Sequence, residues 1–144
     1  MPGLPIDHAG LETLPFEECL GLLGSVPLGR IAFLSDGEVV VLPVNYALDG
    51  QTIVFRTAPG SKLSAAADEG LVSFEADYYD PWTRSGWSVL VTGRATVVYE
   101  EAETQRLGRL GLEPWISTVQ RPYWISIRPT AVTGRRTPPT PAPA

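Results

Sequence analysis

Residue types that build many catalytic and metal sites are nearly absent from this chain of 144 residues. It contains one Cys (Cys19) and one His (His8), and Lys62 is the only Lys among its 11 basic residues. A single Cys permits neither an intramolecular disulfide nor a cysteine metal cluster, and we predict no metal site. A Ser–His–Asp or Cys–His arrangement would have to be built on His8 near the N-terminus, which disfavours nucleophilic catalysis of that kind.

Long apolar runs and a basic surface are also missing. No apolar run approaches the roughly 18 residues of a membrane span. The N-terminus lacks both the basic start and the apolar stretch of a signal peptide, so the sequence predicts a cytoplasmic protein without a membrane partner. The formal net charge of −5 disfavours a nucleic-acid partner, because such binding needs a basic face that displaces counterions.

The residues that are present indicate one globular domain rich in turns. Hydrophobic residues make up 44% of the chain, and it holds 14 Gly and 14 Pro. We predict an irregular lead-in over residues 1–13, a domain over 14–136 and a disordered Pro-rich tail over 137–144.

Apolar periodicity predicts a mainly β fold with short helices. Apolar runs bounded by turn residues predict six strands, over residues 29–34, 39–46, 52–57, 71–77, 87–99 and 123–128. Helical spacing and capping residues predict helices over 14–23, 61–69 and 100–110. Pro43 indicates a sheet edge or a bulge, and Gly93 indicates a bend or bulge. Short turns between the first three strands exclude parallel crossovers, so the strands predict a small antiparallel barrel.

Hydrogen-bond donors concentrate where the third strand gives way to a predicted helix. Arg56 ends the strand, Lys62 lies in the first helical turn, and the hydroxyls of Thr57, Ser61 and Ser64 are close in sequence. A helix N-terminus carries unpaired N–H groups and a partial positive charge, so a cation there is unusual unless an anion binds. The residues alone leave two possibilities open. Either this is an anion site, or Lys62 faces solvent and Arg56 pairs with a carboxylate.

Two further groups of residues admit both a functional and a structural interpretation. Aromatic side chains near strand ends would suit a flat heteroaromatic ligand, or they pack in the core and at an interface: Trp82, Trp87, Trp115, Tyr123 and Trp124. Glu75 and Asp77 share one face of a strand, and Asp80 follows them. They could form a carboxylate pair, but a solvated strand face is the simpler interpretation.

An ordered series of motifs resembles a known family over about residues 14–136. It comprises Gly-Arg-Ile-Ala from Gly29, Pro-Val-Asn-Tyr from Pro43, Phe-Arg-Thr-(x)3-Ser-Lys from Phe55, Val-Ser-Phe-Glu-Ala-Asp from Val72, Gly-Trp-Ser-Val-Leu-Val-Thr-Gly-Arg-Ala from Gly86, and Tyr-Trp-Ile-Ser-Ile-Arg-Pro-(x)3-Thr-Gly-Arg-Arg from Tyr123. The chain resembles the short members of the pyridoxamine 5′-phosphate oxidase-like proteins, which are FMN-binding split β-barrels.

The resemblance implies a homodimer of six-stranded antiparallel split β-barrels with FMN in clefts at the dimer interface. By position it implies that the phosphate is held by Arg56, Thr57, Ser61 and Lys62. It implies further flavin contacts, partly through backbone groups, from Leu42, Pro43, Val44, Asn45, Trp87 and Ser88. It implies no catalytic side chain by number, since the flavin itself carries the electron transfer.

The activity expected from the resemblance is an FMN-dependent oxidoreductase acting on a small molecule, with NAD(P)H or another hydride donor. The chain ends in Gly134-Arg135-Arg136 and a Pro-rich tail without the C-terminal His of pyridoxamine phosphate oxidases, which argues against vitamin B6 oxidation. Two alternatives stay open. One is a reductase that uses a deazaflavin coenzyme on the same fold, and the other is a non-catalytic flavin-binding or dimerisation module.

Overall fold

A computed structural model of the chain describes residues 3–58, 61, 63, 70–112 and 123–139. These residues form eight strands: β1 (Glu12–Leu14), β2 (Leu28–Ser35), β3 (Glu38–Asn45), β4 (Ala47–Asp49), β5 (Thr52–Thr57), β6 (Leu71–Asp80), β7 (Ser85–Val98) and β8 (Tyr123–Arg136). They also form two complete helices, α1 (Phe16–Leu23) and α2 (Glu101–Gly108). The predicted helix over 61–69 falls largely outside the described residues, as do residues 140–144 of the predicted tail.

All eight strands belong to one antiparallel sheet with the order β3-β2-β6-β7-β8-β5-β4, and β1 pairs with β8. The sheet curls into a half-barrel, so the predicted mainly β, antiparallel split-barrel fold is confirmed. The chain passes directly from β3 into β4 and so links the two ends of this order. None of the helices in the described part of the chain is long and apolar enough to span a membrane.

The strand count and several element boundaries differ from the prediction; the strand predicted over 71–77, for example, extends to Asp80. The prediction of six strands omitted β1 and β4, which have three residues each. Since β1 begins at Glu12, the predicted irregular lead-in over 1–13 ends inside a strand. The last strand continues past its predicted end at residue 128, through Pro129 to Arg136, because a register shift opposite Thr92 and Gly93 accommodates the interruption. The predicted bulge at Gly93 is confirmed.

The core lies on the inner face of the curled sheet. Alternate residues of β2, β6 and β7 point inward and are buried: Ile31, Phe33, Val72, Phe74, Ala76, Val89 and Val91. Helix α1 covers this face with Cys19 and Leu23. Tyr46, in the β3–β4 connection, packs edge-to-face on Phe74 with ring centroids 4.7 Å apart and donates its hydroxyl to the carbonyl of Leu23. The link between the sheet ends is thereby fixed to the core.

A second, smaller core lies on the opposite face of β5 and β8. Trp124 and Val54 pack there against Leu107 of α2. Arg106, on the same helix, donates to both carboxylate oxygens of Asp49 in β4, with its two nitrogens 2.9 and 2.7 Å from them. Helix α2 is thus held by one apolar anchor and one ion pair.

Candidate functional site

The donors at the end of β5 divide between the two faces of the strand. Phe55 is buried in the core, and strand alternation sends Arg56 outward and Thr57 inward. The guanidinium carbon of Arg56 lies 5.4 Å from the ring centroid of Trp124, which is cation–π distance. The hydroxyl oxygens of Thr57 and Ser61 lie 2.9 Å apart. The structure therefore brings Thr57 and Ser61 together and places the Arg56 side chain on the opposite face of the same strand end.

Lys62, the fourth residue predicted to hold a phosphate, lies outside the described residues. The donor set that the structure does describe is a guanidinium and two hydroxyls at one strand end. Guanidinium and hydroxyl groups donate hydrogen bonds of the kind that phosphate oxygens accept, so these residues fit a phosphate group.

The second predicted segment, Leu42–Asn45, occupies the end of β3, which is an edge strand of the described sheet. This confirms the prediction of a sheet edge at Pro43. Leu42 and Val44 point inward and pack against the core, whereas Pro43 is exposed. Of this segment, the side chains of Pro43 and Asn45 are the ones on the outward face, so Leu42 and Val44 can reach a ligand only through their backbone.

These two segments lie at the same edge of the barrel. Ala47 in β4 pairs with Val54 in β5. Strand β3, which ends at Asn45, also contacts β5, which ends at Thr57 directly after Arg56. Asn45 donates its side-chain amide to the carbonyl of Pro27 at 3.3 Å. The predicted contacts on β3 and β5 thus lie close together, with eleven residues of sequence from Asn45 to Arg56.

The third predicted segment, Trp87 and Ser88, lies three strands away from β3 across the sheet. The Pro43 row continues through Arg30 and Glu75 to Leu90, two residues from Ser88. At about 4.8 Å per strand, Ser88 is about 15 Å from β3. Ser88 points outward with Pro43 and Asn45, but Trp87 points inward and packs partly against the core. The indole can therefore contact only the inner side of the sheet.

A groove of about 400 Å³ opens at the inner side of Trp87. Its wall includes Tyr78, Arg136 and Pro138. The Arg136 guanidinium lies 3.4 Å from carboxylate oxygens of both Glu12 and Glu18, so its charge is already compensated within the chain. The groove therefore offers aromatic surface without a free cation at Arg136.

Of the two interpretations of the aromatic residues, the structure favours packing over one ligand surface for the residues described. Trp124 lies in the small core under α2, and Trp87 pairs with Arg136 at the other end of β8. Twelve residues separate Trp124 from Arg136, which is about 40 Å along the strand. Trp82 is 94% exposed at the tip of the β6–β7 hairpin. Trp115 lies outside the described residues. Packing and surface roles explain those that are visible.

A charged cluster lies between the predicted contacts on β3 and β7. The sequence indicated its two carboxylates but not its arginine. Arg30 Nη1 lies 3.2 Å from Glu75 Oε1 and 3.6 Å from Asp77 Oδ2. Glu75 and Asp77 do share a strand face, as predicted, but Arg30 comes from a strand 45 residues earlier in the sequence. Only the β2–β6 register, which pairs Arg30 with Glu75, brings the three together.

The pKa of Glu75 is raised to about 7. Partial burial is the largest cause, and the neighbouring Asp77 carboxylate adds to it while Arg30 opposes it. Asp80, the third predicted carboxylate, instead accepts a hydrogen bond from the backbone N–H of Trp82 and shapes the hairpin turn.

Around this cluster the outward face of β3, β2, β6 and β7 carries several exposed apolar side chains. Val39 and Val41 of β3 are 74% and 58% exposed, and Leu34 beside them is 68% exposed. On the other side of the cluster lie Leu71 and Leu90, which are also exposed. Exposed apolar patches of this kind on a sheet mark interaction surfaces. We call this surface, with Arg30, Glu75 and Asp77 at its centre, the outward face.

Comparison with known proteins finds a matching family model, similar sequences and similar solved structures. A family model described as pyridoxamine 5′-phosphate oxidase matches residues 15–136. An uncharacterized Mycobacterium tuberculosis protein is 38% identical over 125 residues, which cover 83% of this chain and 81% of that protein. A solved structure of the FAD binding protein from Mycobacterium smegmatis is 42% identical with a TM-score of 0.76, and the match covers 86% of this chain and 96% of that one.

A second solved structure extends the likeness. A conserved protein of unknown function from Corynebacterium diphtheriae is 32% identical with a TM-score of 0.73, over 87% of this chain and 96% of that one. The similarity in each case covers more than four fifths of this chain.

Proposed function

Since this chain belongs to the pyridoxamine 5′-phosphate oxidase family, we propose that it is a flavin-dependent oxidoreductase that works as a homodimer. Its substrate is a small molecule, and NAD(P)H or another hydride donor supplies the electrons. A bound flavin supplies the electron transfer, and the protein contributes binding and orientation.

The observation that carries this proposal is the meeting of two separate chain segments at one barrel edge. Arg56 and Thr57 end β5, Ser61 follows four residues after Thr57, and β3, which carries Leu42–Asn45, contacts β5. Phosphate oxygens would be held by the first group together with Lys62. The flat ring system would lie along the second, where Pro43 leaves the strand surface open to close approach. Ser88 extends the same outward face toward β7.

The proposed phosphate contact does not distinguish FMN from FAD, since both cofactors contain the flavin mononucleotide unit. FMN is the cofactor implied by the motif series, and the similar Mycobacterium smegmatis protein is an FAD binding protein. We propose FMN and treat FAD as the comparison that the experiment must include.

An absorbance spectrum of the purified protein is the first test, followed by parallel titrations with FMN, FAD and a deazaflavin coenzyme. We expect quenching of flavin fluorescence that saturates at one flavin per chain. Binding of the deazaflavin alone would replace the proposal by a deazaflavin-dependent reductase. A chain that binds none of the three is not a flavin enzyme.

Catalysis is tested separately, by adding NADPH or NADH anaerobically to the flavin-loaded protein. We expect bleaching of the flavin absorbance and its return on exposure to oxygen or to a small electrophilic substrate. A protein that binds flavin but shows no bleaching with any donor, dithionite excepted, would be a binding or dimerisation module.

A further inference from the structure

The outward face carries one cation and two carboxylates at its centre. Because Glu75 and Asp77 project from the same face of β6, the single guanidinium of Arg30 must serve both. When all three groups are ionised, the cluster keeps one uncompensated negative charge.

That charge lies within an apolar surface. Val41 lies diagonally across from Arg30 on β3, Leu34 lies four residues further along β2, and Leu90 lies opposite Glu75 on β7. Any partner that buries these apolar side chains must also remove the cluster from water. Burial of an unpaired charge in an apolar contact is strongly unfavourable, whereas a neutral, hydrogen-bonded cluster is tolerated.

Resting on the proposed homodimer, we infer that a second copy of this chain covers the outward face and that each Glu75 enters that interface as a protonated carboxylic acid. A two-fold contact places a surface against itself, so the exposed valines and leucines of one copy would cover those of the other once the two clusters are neutral. One proton per protomer makes each cluster neutral. The protonated carboxyl can then donate to Asp77 while Arg30 pairs with the remaining charge.

The surroundings of Glu75 leave it as the group that takes the proton. On β2 and β6 it faces Arg30 and Asp77, and on β7 the facing residues are Ser88 and Leu90, which do not titrate in this range. From the inner side, the pKa of the Tyr46 hydroxyl is raised by its burial and by Glu75. Arg135, opposite Ser88, is ion-paired with Asp7. The raised pKa of Glu75 already favours the neutral form in a single chain.

The direction of the pH effect follows from this proton. Below about pH 6 the free chain is already protonated at Glu75, so association takes up no proton and the dimer Kd is flat. Above about pH 7.5 each free chain must gain a proton to associate, so the dimer weakens as pH rises. Two protons per dimer give a limiting slope of up to about a hundredfold in Kd per pH unit.

Sedimentation velocity of the full chain between about pH 5.5 and 8.5, at constant ionic strength, tests the inference. We expect the wild-type Kd to rise steeply above about pH 7, and Glu75→Gln, which mimics the neutral acid, to keep the low-pH Kd throughout. Asp77→Asn leaves one carboxylate for Arg30 and should also flatten the profile, which provides a second variant if the first folds poorly. Glu100→Gln and His8→Gln are matched controls that should keep the wild-type slope.

The outcomes separate this inference from the proposed function. A dimer whose Kd does not change with pH, or changes equally in Glu75→Gln, overturns the proton uptake and leaves the homodimer intact. A chain that is monomeric at every pH overturns both. A dimer that tightens as pH rises contradicts the inference directly.

Discussion

Individual residues decide how closely the chain can pack and bind. A Cβ at Gly29 would overlap the ring of Phe74, because this side chain of the paired strand β6 fills the space beside Gly29. Arg56 lies over Trp124, and its planar guanidinium can stack on the ring while its N–H groups reach an anion. Lack of space requires a glycine at position 29, whereas charge and hydrogen bonding favour an arginine at position 56. Substitution of Gly29 should therefore change stability, and substitution of Arg56 should change ligand binding.

Gly29→Ala should lower the free energy of unfolding of the barrel without a specific effect on flavin binding. Overpacking costs about 1–3 kcal/mol, which we expect as a lower denaturation midpoint in urea. The matched control is Gly21→Ala in α1, where an added Cβ meets nothing within 4 Å. That substitution should stabilise by about 0.5–1 kcal/mol through helix propensity. Equal effects of the two changes would contradict the close approach at Gly29.

Arg56→Ala should weaken FMN binding about 5- to 150-fold, the loss of a charge-assisted contact worth about 1–3 kcal/mol. Fluorescence titration measures the change. Arg56→Lys should restore part of the affinity, since it keeps the charge but not the planar fork. Arg109→Ala, at the end of α2, removes an arginine outside the candidate site and should leave binding unchanged. Unaltered affinity in Arg56→Ala would remove Arg56 from the site.

At the scale of elements, strong apolar periodicity predicted most strands of the barrel. It failed for very short strands and for features that depend on pairing between residues distant in sequence. The alternating runs that became β2 and β6 were recognisable because one face of each strand is buried. Strands β1 and β4 are too short to show any period and exist through pairing with β8 and β5. The inward orientation of Trp87 and the Arg30–Glu75 pair depend on register between distant strands, which no local pattern encodes.

Helix α2 offers a test of how an element is anchored. Leu107→Ala should lower the free energy of unfolding by about 2–5 kcal/mol, because the side chain is fully buried against Val54 and Trp124. Leu110→Ala, just beyond the helix and 38% exposed, is the control and should cost much less. Chemical denaturation measures both. If the two variants were equally stable, Leu107 would not be the anchor.

At the scale of the whole molecule, the chain buries one side of its sheet under α1 and leaves the other partly apolar. Exposed valines and leucines on the outward face lie beside Pro43, Asn45 and Ser88, the predicted flavin contacts with outward side chains. A dimer through this face would bury the apolar area and enclose the cofactor with the same contact, so cofactor retention and assembly should change together.

Val41→Lys should therefore convert the proposed dimer to a monomer, because it places a charge in the apolar part of the contact. We expect a halved mass by light scattering and weaker FMN binding at low protein concentration. The melting temperature of the variant should match that of wild-type protein diluted until it is monomeric. Tyr99→Lys changes an exposed aromatic residue at the far end of β7 and should leave the mass unaltered. A dimeric Val41→Lys protein would place the contact elsewhere.

Pro43 on the edge strand has one more consequence, for solubility. An exposed β edge with valine-rich sequence is a template on which further chains can add strand by strand, the route to open-ended aggregates. A proline there has no N–H to offer an incoming strand, and so it interrupts the ladder that such growth requires. The residue that opens the edge to a planar ligand also limits growth by strand addition, so assembly through the face can stop at a closed pair.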